Sequence, residues 1–229
     1  MIGFYDYTVV LTYLSALSAG IGIMVSLSNT GHPYLGVFFL MFCGLCDAFD
    51  GKVASTKKNR TDAHRKFGVQ IDSLSDLAAF GILPATIGNA MIKVSPKYSG
   101  ILSAGTPKFN ILTAIFLFGI ILLYMLAALV RLAYYNVSEE ERQKTETGTR
   151  KFYEGLPVTS ASLIFPTVLL IQYVTDVDVT IVFFVIMAMM AVAFVSKINI
   201  PKPGLKGILA MVAVGFIEFV VMMIFLLMK

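Results

Sequence analysis

The chain has 229 residues, of which 57% are hydrophobic and 14% are charged, with a formal net charge of +4 at pH 7. This apolar fraction exceeds the roughly 45–50% that is usual in soluble domains, so it argues against a soluble fold and indicates several transmembrane helices of about 20 residues each. The modest positive charge comes without any nucleic-acid-binding motif, and we therefore expect no nucleic acid partner.

Seven apolar segments follow one another along the chain, at about residues 7–28, 34–49, 71–91, 110–135, 156–174, 179–195 and 207–227. These segments are too long and too unbroken for barrel strands. Backbone polar groups inside lipid must be satisfied within the protein, so helices are expected. The sequence thus predicts an all-α integral membrane protein, a single bundle of six to eight transmembrane helices that forms one domain over residues 1–229.

Basic residues indicate how the helices are oriented. The segments 52–67, 136–154 and 196–206 carry six, four and three lysines and arginines, respectively. The connection 92–109, which would lie on the opposite side of the membrane from these segments, is an exception because it also carries three lysines. Because cytoplasmic loops of membrane proteins are enriched in lysine and arginine, the three basic segments are predicted to lie in the cytoplasm.

Four aspartates lie at the ends of two neighbouring apolar segments. The sequence C-D-A-F-D-G-K-V-A at residues 46–54 places Asp47 and Asp50 directly after an uncharged run. A charge at a helix centre in lipid costs roughly 2.5–3.5 kcal/mol, so a counter-ion, a metal ion or water must offset it. In the next segment, Gly68, Asp72 and Asp76 are four residues apart and share one helix face. We expect the two segments to pack antiparallel, so that the carboxylates converge at the cytoplasmic edge of the bilayer.

This carboxylate group is typical of a metal site. Carboxylates in one pocket repel each other strongly at low dielectric, so either some stay protonated or divalent cations bind. Oxygen ligands suit the hard cations Mg²⁺ and Mn²⁺, and also Ca²⁺. Two such ions side by side would form the clamp that assists displacement at phosphorus. The alternative is that the aspartates only cap helix ends at the interface.

The motif D-x-x-D-G-x-x-A at residues 47–54, followed by G-x-x-x-D-x-x-x-D at residues 68–76, resembles the signature of the CDP-alcohol phosphotransferases. Members of that family are integral membrane enzymes that transfer a phosphatidyl or similar group from a CDP-linked donor to an alcohol and release CMP. Ser55 stands where the family pattern has an arginine, and twelve residues separate Ser55 from Gly68 where the pattern has eight or nine. Lys57, Lys58 or Arg60 is therefore a candidate for the missing cation.

Further motifs are similar to those of the phosphatidylserine synthase branch of the family. They are D-S-L-S-D-L-A-A-F-G-I-L-P at residues 72–84, R-L-A-Y-Y-N at 131–136 and F-Y-E-G-L-P at 152–157. The motif region with the aspartates covers about residues 44–80, and the whole resemblance covers roughly residues 40–160. The last two apolar segments carry no motif of this kind.

The resemblance implies a reaction and a set of residue roles. CDP-diacylglycerol, or an archaeal ether-lipid equivalent, would donate its lipid phosphate group to the hydroxyl of L-serine, and CMP would be released. Two divalent cations would be bound by Asp47, Asp50, Asp72 and Asp76, with Asp76 as the candidate general base. The donor would contact Gly51, Ala54, Ser55, Lys57 and Gly68, and Arg131 would bind a phosphate or the serine carboxylate. The family also suggests a homodimer in the cell membrane of a prokaryote, with the active site facing the cytoplasm.

Other functions remain open at this level. The acceptor could be another alcohol, such as glycerol phosphate, inositol phosphate or choline. The carboxylates could instead belong to a divalent-cation transport path or to a structural cation site. A transport path requires acidic groups near the bilayer midplane on several spans. Only Glu218 lies midway through a span, and there a buried hydrogen bond or a subunit contact is an equal explanation.

Overall fold

The computed structural model describes residues 3–28, 33–99, 108–145, 148, 150, 152–175 and 177–228. Its helices are α1 (Val10–Leu27), α2 (Pro33–Ser55), α3 (Asp62–Asp76), α4 (Leu83–Val94), α5 (Lys108–Thr145), α6 (Ala161–Thr175), α7 (Thr180–Val195) and α8 (Leu205–Met228). Two three-residue strands, β1 (Phe152–Glu154) and β2 (Asn199–Pro201), pair in antiparallel orientation. The prediction of an all-α membrane bundle is confirmed, and these two short strands are the exception among the described residues.

Five helical stretches within the described ranges are long and apolar enough to cross a membrane: Tyr7–Leu27, Asp62–Val94, Ile111–Thr145, Val158–Thr175 and Leu205–Met228. The helix α7 is apolar but shorter, and α2 has 23 residues with its charges at one end. Large apolar side chains such as Leu17, Phe116 and Phe216 are exposed on the outside of the bundle. An apolar surface of this extent is what lipid requires, so these helices support an integral membrane protein.

The first two helices approach each other closely because small residues line their contact. A Cβ atom on Gly36 would clash with the Oγ atom of Ser26. The hydroxyl of Ser18 donates a hydrogen bond of 3.1 Å to the carbonyl of Phe39. Small residues and hydrogen bonds between helices are the usual means of helix association in lipid. Because α1 packs against both α2 and α3, it supports both helices that carry the aspartates.

A π-helical stretch, Leu77–Ile82, joins α3 to α4 directly after Asp76. Pro84 has no N–H, so the carbonyl of Phe80 lacks the donor that an α-helix would supply four residues later. The buried hydroxyl of Tyr124, on α5, donates to this carbonyl at 2.7 Å. Short π-helical segments often lie at functional sites, and this one adjoins the carboxylates.

Several helices extend beyond the predicted apolar segments; α2, for example, continues to Ser55. The helix α3 begins at Asp62, ahead of the apolar segment that starts near residue 71, because the side chain of Thr61 accepts a hydrogen bond from the backbone N–H of His64 and caps it. The helix α5 continues to Thr145, beyond the apolar segment that ends near residue 135, where the ion pair between Arg142 and Glu139 at 2.6 Å supports the extra turns. The basic connection between α2 and α3 is therefore confined to residues 56–61.

Aromatic side chains fill the centre of the bundle. The ring centroid of Phe165, on α6, lies 4.5 Å from that of Phe183 on α7 and 5.8 Å from that of Tyr124 on α5. The helix α8 packs against α6, where the hydroxyl of Thr167 donates a hydrogen bond to the carboxylate of Glu218. This contact favours a structural explanation for the acidic residue in the last span.

The two strands connect loops that are distant in sequence. β1 lies between α5 and α6, β2 lies between α7 and α8, and Tyr153 pairs with Ile200. Gly155 follows β1 with a φ of 77°, and a Cβ atom there would lie 2.7 Å from the carbonyl oxygen of Phe194. Only glycine fits both the left-handed backbone and the close approach. The sequence did not reveal these strands because three residues are too few for a visible alternation.

Candidate active site

Three carboxylates from two helices meet in one cluster. Oxygen atoms of Asp47 and Asp50, on α2, and of Asp72, on α3, all lie within 4.8 Å of one another, and the three residues are partly buried. The carboxylates of Asp50 and Asp72 thus approach each other from different helices. Because two bare carboxylates repel at this range, a proton or a cation between them stabilises the arrangement. The structure thus brings together three of the four predicted metal ligands in what we call the carboxylate cluster.

Asp76 lies one helical turn beyond Asp72 on α3 and outside this compact group. It is nevertheless close enough to interact electrostatically with all three members of the carboxylate cluster and with Arg131. Residues four apart on a helix share a face, so Asp76 faces the same side as Asp72. Asp76 therefore lies beside the carboxylate cluster and is not one of its members.

Two serines between the aspartates of α3 attach this helix to its neighbours. Ser73 Oγ accepts a hydrogen bond of 2.7 Å from Nδ2 of Asn136 on α5. The buried Ser75 donates a hydrogen bond of 3.1 Å to the carbonyl of Thr12 on α1. These contacts fix the rotation of α3, and with it the direction of the Asp72 side chain. The sequence alone did not predict this positioning role of Ser73 and Ser75, although both lie between Asp72 and Asp76 in the motif.

The donor atoms of the carboxylate cluster suit a divalent cation. All of them are carboxylate oxygens, which are preferred by Mg²⁺, Mn²⁺ and Ca²⁺. Among the described residues, no lysine or arginine forms an ion pair with Asp47, Asp50 or Asp72. Their negative charge is therefore available to an ion from solution. The residues present fit the predicted metal, and Asp47, Asp50 and Asp72 are the residues that could hold it.

The small residues predicted to contact the donor differ in how much space surrounds them. Apart from its chain neighbours and the backbone of its own helix, no atom of the described residues lies within 4 Å of the place that a Cβ atom on Gly51 would take, so this face of the helix is open. At Gly68, by contrast, the corresponding Cβ position lies 2.7 Å from Nη2 of Arg60. The same guanidinium donates from Nη1 to the carbonyl of Ala54 at 3.4 Å. The side chain of Arg60 thus bridges the end of α2 and the first turns of α3.

The side chains of Ser55 and Lys57 are engaged elsewhere. Ser55 Oγ donates a hydrogen bond of 2.7 Å to the carbonyl of Lys52, one helical turn earlier. Lys57 Nζ forms an ion pair of 2.8 Å with Asp6, which precedes α1. The hydrogen bond from Lys57 holds the pKa of Asp6 well below its usual value. The predicted donor contacts of Ser55 and Lys57 stay predictions, and neither side chain lies in the carboxylate cluster.

The N-terminal residues pack over the connection between α2 and α3. The ring of Phe4 lies 3.9 Å from that of His64, measured between centroids. The hydroxyl of Thr56 donates to the hydroxyl of Tyr7 at 3.2 Å. Together with the ion pair of Asp6, these contacts hold residues 56–61 in place, and we refer to residues 3–7 as the N-terminal strap.

Arg131 is buried, with 7% of its surface exposed, and lies near the end of the membrane-spanning part of α5. Its guanidinium stacks on Tyr135 with 4.9 Å to the ring centroid. Its Nε atom is buried and has no hydrogen-bond partner among the described residues. Arg131 interacts electrostatically with Asp47 and Asp76. A buried guanidinium with an unused donor is suited to binding an anion.

The strand β1 places further polar groups beside Arg131. The ring of Tyr153 lies 5.9 Å from that of Tyr135, and Lys202 Nζ, just after β2, lies 5.6 Å from the Tyr153 ring. Burial raises the pKa of Tyr153, so its hydroxyl stays protonated at neutral pH. The motifs at residues 131–136 and 152–157, which are separate in sequence, are therefore adjacent. Contacts of this kind were not readable from either motif alone.

Comparison with known proteins agrees with the motifs. The chain is 29% identical over 156 residues to the CDP-diacylglycerol–serine O-phosphatidyltransferase of Saccharomyces cerevisiae. The matched region covers 67% of this chain and 48% of that protein. It is 28% identical over 190 residues to the archaetidylserine synthase of Methanothermobacter thermautotrophicus, covering 82% of this chain and 68% of that protein. A CDP-diacylglycerol–serine O-phosphatidyltransferase of Helicobacter pylori is 28% identical, covering 66% of this chain and 52% of that protein.

The chain thus spans about half the length of the yeast and Helicobacter relatives. No solved structure matches it. The sequence profile of the CDP-alcohol phosphatidyltransferase family, in contrast, matches residues 8–228, which include every helix described above. The protein is a member of the CDP-alcohol phosphatidyltransferase family, as its motifs predicted.

Proposed function

We propose that the protein transfers a phosphatidyl-type group from CDP-diacylglycerol, or from its archaeal ether-lipid equivalent, to the hydroxyl of L-serine and releases CMP. The observation that carries this proposal is the carboxylate cluster, in which oxygens of three aspartates from two helices lie within 4.8 Å of one another. The names of the relatives support serine as the acceptor, because each names a serine transferase or an archaetidylserine synthase.

The proposed reaction needs stabilisation of charge and correct placement of both substrates. Bound divalent cations would withdraw negative charge from the phosphoryl oxygens, and Asp47, Asp50 and Asp72 are the residues that would hold them. The serine hydroxyl oxygen forms a bond to the lipid-side phosphorus. The bond between that phosphorus and the bridging oxygen breaks, and CMP leaves with the electron pair.

Asp76 is the proposed acceptor of the serine hydroxyl proton. A carboxylate close to cations is a weak base, because positive charge favours its ionised form. A loose transition state overcomes this difficulty, since the hydroxyl becomes acidic only as its oxygen bonds to phosphorus. The place of Asp76 beside the carboxylate cluster, rather than inside it, supports a role in proton transfer. Whether Asp76 also binds a second cation stays a prediction.

Arg131 is the proposed binding residue for the serine carboxylate. Serine must present its hydroxyl to Asp76, and its carboxylate lies only a few bonds away. Arg131 interacts electrostatically with Asp76 and has an unused buried donor among the described contacts, which supports this pairing. The planar guanidinium matches a carboxylate with two parallel hydrogen bonds. A phosphate of the lipid donor is the alternative ligand. If Arg131 binds serine, its substitution changes the KM for serine; if it binds the phosphate, its substitution changes the KM for the donor.

The location of the cluster suits a lipid donor. Asp47 and Asp50 lie in the last turns of α2, and the connection at residues 56–61 carries Lys57, Lys58 and Arg60. The proposed site faces the cytoplasm by the excess of basic residues at this end. Acyl chains would remain in the membrane while the pyrophosphate reaches the aspartates, and serine would enter from the cytoplasm. A homodimer and a prokaryotic cell membrane stay predictions from the family resemblance.

The test is CMP release by purified protein from CDP-diacylglycerol with serine, with Mg²⁺, Mn²⁺ or a chelator. We expect CMP release that depends on both serine and metal. Parallel reactions with glycerol phosphate, inositol phosphate and choline identify the acceptor, and an ether-linked donor compares the two lipid classes. Release with another alcohol but not with serine would contradict only the acceptor. Absence of metal-dependent release with every alcohol and both donors would contradict the proposed function.

A further inference from the structure

The side chain of Arg60 has an unusual position for a residue in a basic loop. Its guanidinium lies between two helices, with Nη1 3.4 Å from the carbonyl of Ala54 and Nη2 2.7 Å from the Cβ position of Gly68. Ala54 is at the end of the helix that carries Asp47 and Asp50, and Gly68 is one turn before Asp72. Arg60 therefore bridges the two helices that carry the aspartates, one turn from Asp50 on α2 and one turn from Asp72 on α3.

The hydrogen-bonding capacity of Arg60 is largely unused. A guanidinium has five N–H donors, and among the described residues Arg60 makes only the long contact to Ala54. Its Nε atom is buried without a hydrogen-bond partner. In the part of the chain that the structure describes, Arg60 also forms no ion pair. A partly buried cation with unpaired donors is costly unless an anion completes its contacts.

The other candidate cations of the connection are less well placed. Lys57 forms the 2.8 Å ion pair with Asp6, and Lys58 is exposed to solvent. Ser55, which replaces the arginine of the family pattern, donates its hydroxyl proton to the carbonyl of Lys52. Of the three basic residues proposed from sequence, Arg60 alone contacts Ala54 and Gly68 among the described residues.

We infer that Arg60 binds the nucleotide-side phosphate of the CDP-linked donor, in place of the arginine that this chain lacks at position 55. The inference rests on the proposed function for the identity of the donor. Open space beside Gly51 leaves room for the nucleotide next to the carboxylate cluster. Arg60 then supplies positive charge on one side of the pyrophosphate, and the planar fork can donate two hydrogen bonds to one phosphate. The ligand chemistry is a cytidine nucleotide phosphate, and free phosphate is the simpler anion to be distinguished from it.

The test is equilibrium binding of CMP and of cytidine in the presence of Mg²⁺, measured by calorimetry on the full chain in detergent. We expect Arg60→Gln to weaken CMP binding about tenfold to a hundredfold, the usual effect of removing a charged hydrogen bond. Cytidine, which lacks the phosphate, should bind equally to wild type and variant. Lys58→Gln is the matched control, because it removes the same charge from an exposed neighbour in the same connection; its CMP affinity should remain within about twofold of wild type.

A second substitution tests the replacement directly. Adding Ser55→Arg to Arg60→Gln should restore most of the lost CMP affinity, because a guanidinium then returns to the end of α2. Inorganic phosphate should compete with CMP only weakly in the wild type. Competition by phosphate as strong as by CMP would overturn the assignment to a nucleotide phosphate. An equal loss of cytidine and CMP binding in Arg60→Gln would also overturn it, since that pattern indicates a merely structural role.

The outcomes separate this inference from the proposed function. Wild-type affinity for CMP in Arg60→Gln, together with normal CMP release, would overturn the role of Arg60 alone. Arg60-dependent CMP binding by a protein that transfers nothing to any alcohol would contradict the proposed function and leave the role of Arg60 intact. If Arg60→Gln is not recovered as a monodisperse protein, Arg60→Lys replaces it. That variant keeps the charge but loses the fork, and it should weaken CMP binding about threefold to tenfold; unchanged CMP affinity would overturn the inference.

Discussion

Carboxylate oxygens of Asp50 on α2 and Asp72 on α3 lie within 4.8 Å of each other, although the connection 56–61 and its basic residues separate them in the chain. This approach closes the carboxylate cluster and joins the two halves of the family motif. A cation between the two side chains would offset the repulsion of their charges. The pair is therefore the first place to test metal binding.

We predict that Asp50→Asn and Asp72→Asn each weaken binding of Mn²⁺ by about tenfold or more, since an amide cannot replace a carboxylate in charge. Electron paramagnetic resonance of free Mn²⁺ measures this without any turnover. Asp62→Asn is the matched control, because Asp62 is exposed at the first turn of α3 and lies outside the carboxylate cluster. Equal Mn²⁺ affinity in all three variants and the wild type would show that the cluster does not hold the metal.

Asp76 should act differently from its neighbours. Asp76→Asn removes the proposed proton acceptor, and we expect kcat to fall by roughly 10²–10⁴. Mn²⁺ and CMP affinities should change by no more than about threefold if proton transfer is its main role. Turnover at the wild-type rate would remove Asp76 as the base. A loss of Mn²⁺ binding as large as in Asp72→Asn would instead indicate a metal ligand.

Arg131→Lys tests the acceptor pocket. The ammonium keeps the positive charge but cannot form two parallel hydrogen bonds to a carboxylate. We expect the KM for serine to rise about tenfold while the KM for the lipid donor stays within about twofold, as measured by CMP release at varied substrate concentrations. A rise confined to the KM for the donor would identify a phosphate, rather than serine, as the ligand of Arg131.

The hydrogen bond from Tyr124 to the carbonyl of Phe80 should stabilise the fold. Tyr124→Phe removes the side-chain donor from a buried carbonyl, and we expect a loss of about 1–3 kcal/mol in the free energy of unfolding, measured by thermal or detergent-induced unfolding. In a Pro84→Ala background the new N–H supplies a donor for the same carbonyl. The cost of Tyr124→Phe should then be clearly smaller, and an equal cost in both backgrounds would contradict our explanation that Tyr124 replaces the donor missing at Pro84.

The ion pair of Asp6 and Lys57 should hold the N-terminal strap. Asp6→Asn is expected to increase the rate of proteolysis within residues 3–7 by up to about fivefold at pH 7, the range for a solvent-accessible pair. Because folding lowers the pKa of Asp6, the pair contributes fully above the ordinary aspartate pKa of about 4, and its contribution is lost as the pH falls further. The wild type should thus behave alike between pH 6 and 8. Proteolysis that rises across that interval would exclude this pair as the cause.

Sequence spacing was sufficient for the parts of the site that lie on one helix. Gly68, Asp72 and Asp76 repeat every four residues, and a helix places such residues on one face whatever surrounds it. The apolar segments likewise determined the helices, because a backbone in lipid must satisfy its own hydrogen bonds. The ends of α3 and α5 were missed where capping and ion pairs, rather than hydrophobicity, extend a helix beyond its apolar core.

The tertiary structure decided which residues from different helices meet. Lys57 and Arg60 are equivalent by charge and nearly so by position in the sequence, yet one pairs with Asp6 and the other lies against Ala54 and Gly68. Likewise, the contact between Asn136 and Ser73 depends on how α5 is rotated against α3. Periodicity describes one helix about its own axis and contains no information on the rotation of its neighbours. That rotation is set by packing and hydrogen bonds between distant parts of the chain.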